Sequence, residues 1–257
     1  MNIYQHFRPE ERDFIDQVLH WKDYVETSYA PKLTDFLDPR EQHILKVLIG
    51  ENGSIQYRIF GGKSGMERKR ALIIPDYFSE NLNDFQIALF EIEYPAKFVT
   101  IEHPKVLGTL MSLGLKRGKF GDILFENERV QFFTSQEVSD YIKLNLQSIG
   151  RTTVKIKELK LDQAISVHDN WVESELTVSS LRLDTVVSGI HHLSRQKSQL
   201  LIQQGLVKVN WTVTESPSFD CYAGDLISVR GHGRVKILSI DGKTKKEKWR
   251  MHVGKQK

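Results

Sequence analysis

The stretch RLDTVVSG, Arg182 to Gly189, carries residue types suited to two different chemistries. An aspartate beside an arginine, with a Ser-Gly pair following, can line an active site in which Asp184 attacks a base. The same residues also suit the first turns of a short helix. There the Asp184 carboxylate sits well in the positive field of the helix start, and Arg182 faces a polyanion. Further along, Ser194, Arg195 and Lys197 cluster where a second helix should begin. Unsatisfied backbone N–H groups at such a start attract anions, and the arginine fork matches phosphate oxygens. Lys208, Arg230 and Arg234 on the following strands are expected to extend this rim. The set suits a folded RNA backbone recognised by shape.

Other chemistries find less support. Cys221 is the sole cysteine, which excludes an intrachain disulfide and a multi-cysteine zinc site. The nine histidines are scattered. Neighbours such as His191 and His192 do not face one way on a helix, so they read as solvent-facing loop residues, and no metal site is expected. Gly62-Lys63-Ser64 invites a P-loop reading, but Tyr57 stands where the leading glycine should be, so no nucleotide or other cofactor is expected. The alternative is a glycine turn feeding a basic strand, with Lys63, Arg68, Lys69 and Arg70 facing phosphates or forming a salt-bridged surface. Lys116, Arg117 and Lys119 make a basic loop that can touch a backbone. His168-Asp169-Asn170-Trp171 matches no catalytic constellation.

The bulk numbers describe an ordinary soluble protein: 257 residues, 40% hydrophobic and 27% charged. No run approaches the roughly 20 apolar residues of a membrane span, and MNIYQHFRPEERDF lacks the apolar core of a secretory signal. A cytoplasmic monomer without membrane insertion is the expectation. The net charge of +3 hides an asymmetry. From Arg182 onward there are 14 Lys and Arg against 6 Asp and Glu, and elsewhere 22 against 27. A basic module on an acidic body points to a nucleic-acid partner, although KTKKEKWRMHVGKQK alone supplies seven of those positive charges.

The elements that must position these residues read as an α+β protein. An N-terminal helical and αβ domain spans 1–80. It holds a helix over 8–29 with Phe14, Val18, Trp21 and Val25 on one face, and a second helix capped by Asp38, Pro39 and Glu41. A ferredoxin-like, RNA-recognition-like βαββαβ domain spans 81–160. Its helices start at Pro104 and near Gln136, the latter stopping at Gly150. Phe120 and Phe125 read as core rather than as base-stacking positions, because RGKFGDILF only loosely echoes the aromatic motif of RNA-recognition strands. Residues 161–257 hold a strand-bearing connection and a C-terminal αβ module with its core at 181–240. There Leu183, Val186, Val187, Leu200, Leu201 and Ile202 should be buried, and Asp241-Gly242 should turn a hairpin.

Within that module Arg182-Leu183-Asp184, Ser194-Arg195, Leu201-Ile202, Gly205, Val207, Val209-Asn210, Gly224-Asp225, Ile227 and Val229 recur at the spacing of the S4-type RNA-binding domain, which the segment resembles. Trp211 departs from that pattern, where glycine usually follows the asparagine, so the hairpin turn is placed in doubt. Ser198 replaces the usual alanine. The whole chain is similar to the YlmH family, through FLDPREQ, FGGKSGMERKRALIIP, HPKVLGTLMSLGLKRGKFGDI and SVRGHGRVKI. That resemblance implies a non-enzymatic, ribosome-associated protein. It would bind rRNA and tRNA on the large subunit, in quality control of stalled ribosomes with a nascent chain attached. It also implies a link to cell division, so a division-site protein working through protein contacts is an alternative. A third reading is a pseudouridine synthase, since those enzymes carry a catalytic aspartate in a segment like RLDTVVSG. Two features oppose it. Arg182-Leu183-Asp184 already opens the RNA-binding module, and the catalytic domain of such enzymes follows that module, whereas only 73 residues follow Asp184.

Overall fold

The computed structural model describes residues 3–7, 11–50, 53–166 and 171–256. The chain forms two compact units, Met1–Val167 and His168–Lys257.

The first unit opens with α1 (Arg12–Ser28), whose buried face is Ile15, Val18, Trp21 and Val25. Phe14 is only half-buried and meets Trp21 edge-on. Strand β1 (Lys32–Leu37) was not foreseen: KLTDFL is short and buries Thr34 along with Phe36 and Leu37, so no clean alternation marks it. Helix α2 (Pro39–Ile49) starts at the expected capping box, with Asp38 Oδ1 accepting from Glu41 N at 2.9 Å and Glu41 Oε2 from Asp38 N at 2.7 Å. Strands β2 (Ile55–Phe60) and β3 (Lys69–Pro75) complete an antiparallel sheet ordered β1-β3-β2.

Next come β4 (Ile87–Glu93), α3 (His103–Ser112), β5 (Phe120–Glu126), β6 (Arg129–Ser135), α4 (Ser139–Asn145) and β9 (Lys155–Leu159), with a small hairpin of β7 (Ser148–Ile149) and β8 (Thr152–Thr153) between the last two. The sheet order β5-β6-β4-β9, antiparallel throughout, is the expected split arrangement. Gly150 (φ +60°) turns the β7–β8 hairpin instead of stopping a helix, since α4 already ends at Asn145. Phe120 is core, but Phe125 is exposed and lies against the His103 ring.

One face of this sheet packs Phe90 and Phe132 against Val106 and Leu110 of α3 and Ile142 of α4. On the opposite face Leu89, Leu124 and Phe133 are sealed by Phe36, Met66, Ala164 and Ile165. The seam expected near residue 80 is therefore bridged by a common core, and the connection after residue 160 begins inside it. Two glycines make the close approach possible. A Cβ on Gly62 (φ +99°) would lie 2.4 Å from the Phe133 ring, and one on Gly121 would lie 2.8 Å from Phe36 and 2.9 Å from Phe133.

The second unit is a six-stranded sheet with two helices. Its strands are β10 (Trp171–Val178), β11 (Val207–Val209), β12 (Thr212–Val213), β13 (Leu226–Val229), β14 (Gly233–Lys243) and β15 (Trp249–Gln256), ordered β10-β15-β14-β13-β11-β12. Helices α5 (Leu183–His191) and α6 (Arg195–Gln203) bury Leu183, Val186, Val187 and Ile202 against Val207, Val209, Val229, Val235, Ile237, Met251 and Val253. Leu201 is half-buried, while Leu200 points outward and is 53% exposed, because a nine-residue helix offers the sheet only one face. The β14–β15 turn lies at Thr244–Lys248 rather than at Asp241-Gly242. Gly242 (φ +92°) instead marks an irregularity in the β14 register. The β11–β12 loop is a two-residue turn in which Asn210 (φ +49°) and Trp211 (φ +66°) are both left-handed, the geometry that favours glycine. Trp211 adopts it at a cost of about 1–2 kcal/mol.

The shared core of the first unit should tolerate no added methyl where Phe36 and Phe133 meet Gly121. Gly121→Ala is expected to lower stability by about 1–3 kcal/mol in denaturant titrations. An unchanged midpoint would mean that Phe36 and Phe133 are not held where they lie.

Candidate functional site

Asp184 lies in the first turn of α5 and is fully buried. Its Oδ2 accepts from Arg195 Nε at 2.9 Å and from Gln199 Nε2 at 2.7 Å. Its Oδ1 accepts from Arg182 Nε at 3.4 Å and from the Thr185 hydroxyl at 3.2 Å. Burial pushes the carboxyl pKa up, but hydrogen bonds from Gln199, Arg195 and Arg182 outweigh it and hold the group at about 2. A carboxylate enclosed by four donors presents no face to a ligand. Asp184 thus joins α5 to α6 and orients two guanidinium groups, which remain 41% (Arg182) and 55% (Arg195) exposed.

The local sequence explains this placement. Arg182 precedes the helix in extended conformation, bridged in backbone to Asp220, while Leu183 N and Asp184 N donate to the carbonyls of Phe219 and Pro217. The amides at the start of α5 are therefore occupied by the 217–221 segment. Helix α6 differs. The Ser194 hydroxyl caps Lys197 N at 3.2 Å, and Ser198 N closes on Ser194 O. Ser198 is buried and returns its hydroxyl to Ser194 O, so the change from alanine is accommodated. Gln199 was missed by the sequence reading. The signal was its spacing of four from Arg195, which puts both on one helix face.

The remaining rim residues separate. Lys208 pairs with Ser228, and Ser228 with Arg234, in a row whose neighbours Val207, Val209, Ile227, Val229 and Val235 are buried beneath the helices. Strand alternation therefore places Lys208 and Arg234 on the sheet face away from α5 and α6. Arg230 is exposed at the β13–β14 turn. Lys208 and Arg234 therefore do not extend the rim at the helix starts, as the sequence reading expected.

The first unit's basic residues are mostly engaged internally. Arg70 is 4% exposed and donates to the carbonyls of Thr34, Phe85 and Gln86, which rules it out as a surface contact. Lys119 is paired with Asp35 at 2.6 Å and with Glu137. Arg117 donates to Phe120 O at 2.6 Å, and its pKa is lowered to about 10 by burial and by Arg68. Arg68 donates to Phe36 O, and Lys63 to Ala164 O and the Ser166 hydroxyl. Lys116 is exposed and Lys69 half-buried. The sheet face that RNA-recognition modules use for stacking is the one covered by Phe36, Met66, Ala164 and Ile165.

Groups that could carry bond chemistry are poorly placed for it. The Cys221 thiol is buried and pushed up to about 12 by burial, Asp225 and Asp220, far from a reactive thiolate. His191 is half-buried rather than solvent-facing. Its pKa is lowered to about 4 by burial, by the His232 ring at 5.3 Å, by Lys255 and by His192. Among the described residues no group of three or more His, Cys, Asp or Glu could hold a metal. His168, Asp169 and Asn170 lie outside the described residues.

Comparisons with known proteins cover the whole chain. Residues 81–163 match the family described as "Putative RNA-binding domain in YlmH", and residues 181–227 match the S4 domain. The chain is 46% identical over 257 residues to Ribosome-associated protein quality control protein P2 of Bacillus subtilis (strain 168), covering all of this chain and 99% of that protein. A solved structure, Cell division protein ylmH from Streptococcus pneumoniae, is 38% identical with a TM-score of 0.55, over 64% of this chain and 100% of that one.

The Asp184 hub gives a signed pH dependence. Its folded pKa lies below the unfolded value near 3.8, so its contribution is present above about pH 4 and lost as pH falls toward 2. Asp184→Asn should cost about 1–3 kcal/mol at neutral pH, discounted for the exposure of both arginines. The gap from wild type should narrow between about pH 4 and pH 2 in denaturant titrations. A gap that stays constant through that window would contradict the pairing.

Proposed function

The chain belongs to the YlmH family, and from that premise we propose that it is a non-enzymatic RNA-binding protein of the bacterial ribosome. On this reading it works in the cytoplasm, engages rRNA and tRNA on the large subunit, and serves quality control of stalled ribosomes. The observation that carries the proposal is the pair of exposed guanidinium groups held at two helix starts by one buried carboxylate. Such forks bind phosphate oxygens bidentately, and fixing them beforehand lowers the entropy lost on binding. The α6 start adds its dipole, and the net positive charge of the module draws the polyanion in.

The same geometry supports a role without covalent chemistry. Asp184 is enclosed, and a nucleophile needs an open approach to its target. Affinity then comes from electrostatic docking, and the outcome from where the bound protein stands on the ribosome. The name of the pneumococcal relative keeps a division-site role as the second reading. Pull-downs with and without nuclease treatment separate the two, since only partners bridged by RNA are lost.

Arg182→Ala or Arg195→Ala should each weaken RNA binding by about 1–3 kcal/mol at fixed salt. For about five phosphate contacts of single-strand character, the log–log salt slope of wild-type binding should be roughly −3.5, and less steep in either variant. A slope near zero would remove the electrostatic basis of the proposal.

A further inference from the structure

We propose that the β14–β15 hairpin is a second phosphate-binding element, a basic arm that grips RNA backbone in addition to the arginines at the helix starts. The inference rests on the RNA-binding reading above and adds a site to it. By its composition KTKKEKWR, Lys243 to Arg250, suits a solvated basic tail. The fold makes it a closed turn instead. Thr244 N donates to Lys248 O at 2.7 Å, Glu247 N to Thr244 O at 2.9 Å, and Lys248 N to the Thr244 hydroxyl at 3.2 Å. Glu247 takes a left-handed conformation (φ +56°) within it. Trp249 anchors the base of the arm. It is half-buried against the core of the unit, and Lys243 Nζ lies 5.5 Å from its ring centroid.

The charge on this arm is left for an outside partner. Glu247 is matched by Lys243 at 3.0 Å. Lys245, Lys246, Lys248 and Arg250 are exposed, and among the described residues none of their side chains has a partner. Like charges so close in the chain repel one another in the free protein. A polyanion relieves that repulsion and releases its own counterions. The hairpin also outruns β13. That strand and the 224–225 segment bond β14 only as far as Ile237. From Leu238 to Lys243 the strand partner is β15, over a length of about 20 Å. The match to the S4 domain ends at residue 227, inside β13, so the arm is an addition to that module. It leaves the sheet at the end where β10 leads into the first helix. Val178 pairs with Trp249, and Arg182 follows Val178 within a reach of at most about 14 Å. One RNA backbone can therefore meet the arm and the helix-start arginines together. A lipid surface is a poorer fit, because Thr244 to Lys248 carry no apolar side chain to insert.

The test compares four full-length proteins. They are wild type, a glutamine triple (Lys245→Gln, Lys246→Gln, Lys248→Gln), an arginine triple (Lys245→Arg, Lys246→Arg, Lys248→Arg) and Arg195→Ala. The probes are an RNA hairpin and vesicles of phosphatidylserine and phosphatidylcholine. The glutamine triple should keep the wild-type melting temperature and weaken RNA binding by about 10- to 100-fold at about 0.1 M salt. Its log–log salt slope should be shallower by about 2, for three contacts at roughly 0.7 each. The arginine triple, with its charge kept, should bind RNA as wild type does. Arg195→Ala should weaken RNA binding and leave the arm's share of the slope in place. If the glutamine triple binds RNA like wild type while Arg195→Ala does not, the arm proposal is overturned and the helix-start reading stands. If the glutamine triple loses affinity for the vesicles alone, the arm is a lipid contact and the proposal is equally overturned. If wild type binds no RNA, both readings are overturned.

Discussion

A single carboxylate ties together the two helices of the C-terminal unit and the arginines at their starts. Asp184 could be buried only because four donors meet it, and two of them, Arg182 and Arg195, face outward beside it. Two arginines on neighbouring segments repel each other and, left alone, sample many rotamers. Tied to one anion, they hold a fixed separation with their remaining surface toward solvent. The burial of Leu183, Val186, Val187 and Ile202 sets the two helices at the distance this requires. Packing and charge thus converge on the first turn of a nine-residue helix.

The first unit follows a different logic. Its ferredoxin-like sheet has the topology of an RNA-recognition module but not the accessible face of one. Phe133 and Leu89, where stacking rings would be displayed, are sealed under Phe36 and Met66. Gly62 and Gly121 permit that contact. The basic residues of the loops nearby are drawn into the joint: Arg68 and Arg117 hold carbonyls, Lys119 bridges two acids, and Arg70 is interior. Charge in a sequence marks a surface only when nothing inside the fold claims it.

The contrast explains what the sequence disclosed. Long periodic segments were legible: α1, the capping box of α2, the βαββαβ order and the S4-type spacing all carry local signals. Strand β1 was not, because six residues that bury a threonine show neither period cleanly. The place of Gly150 and of Asp241-Gly242 was misread because a left-handed residue serves a helix stop, a hairpin or a strand irregularity equally well, and only the partner strand decides. The sequence singled out Arg182, Asp184 and Arg195, and the fold brings the three together, but Asp184's enclosure depends also on Gln199 and Thr185, to which the sequence assigned no role. Lys208 and Arg234 were grouped with the helix arginines because a linear reading does not show which face of a strand is inward.

The account turns on whether Asp184 acts on RNA through the arginines it holds. A double-mutant cycle on RNA affinity, pairing Asp184→Asn with Arg195→Ala at fixed salt, reads that coupling directly. Asp184→Asn should cost clearly less affinity when Arg195 is already absent, with an interaction energy of about 0.5–3 kcal/mol. Equal costs in both backgrounds would show that the carboxylate and the guanidinium act separately, and the positioning role assigned to Asp184 would be wrong.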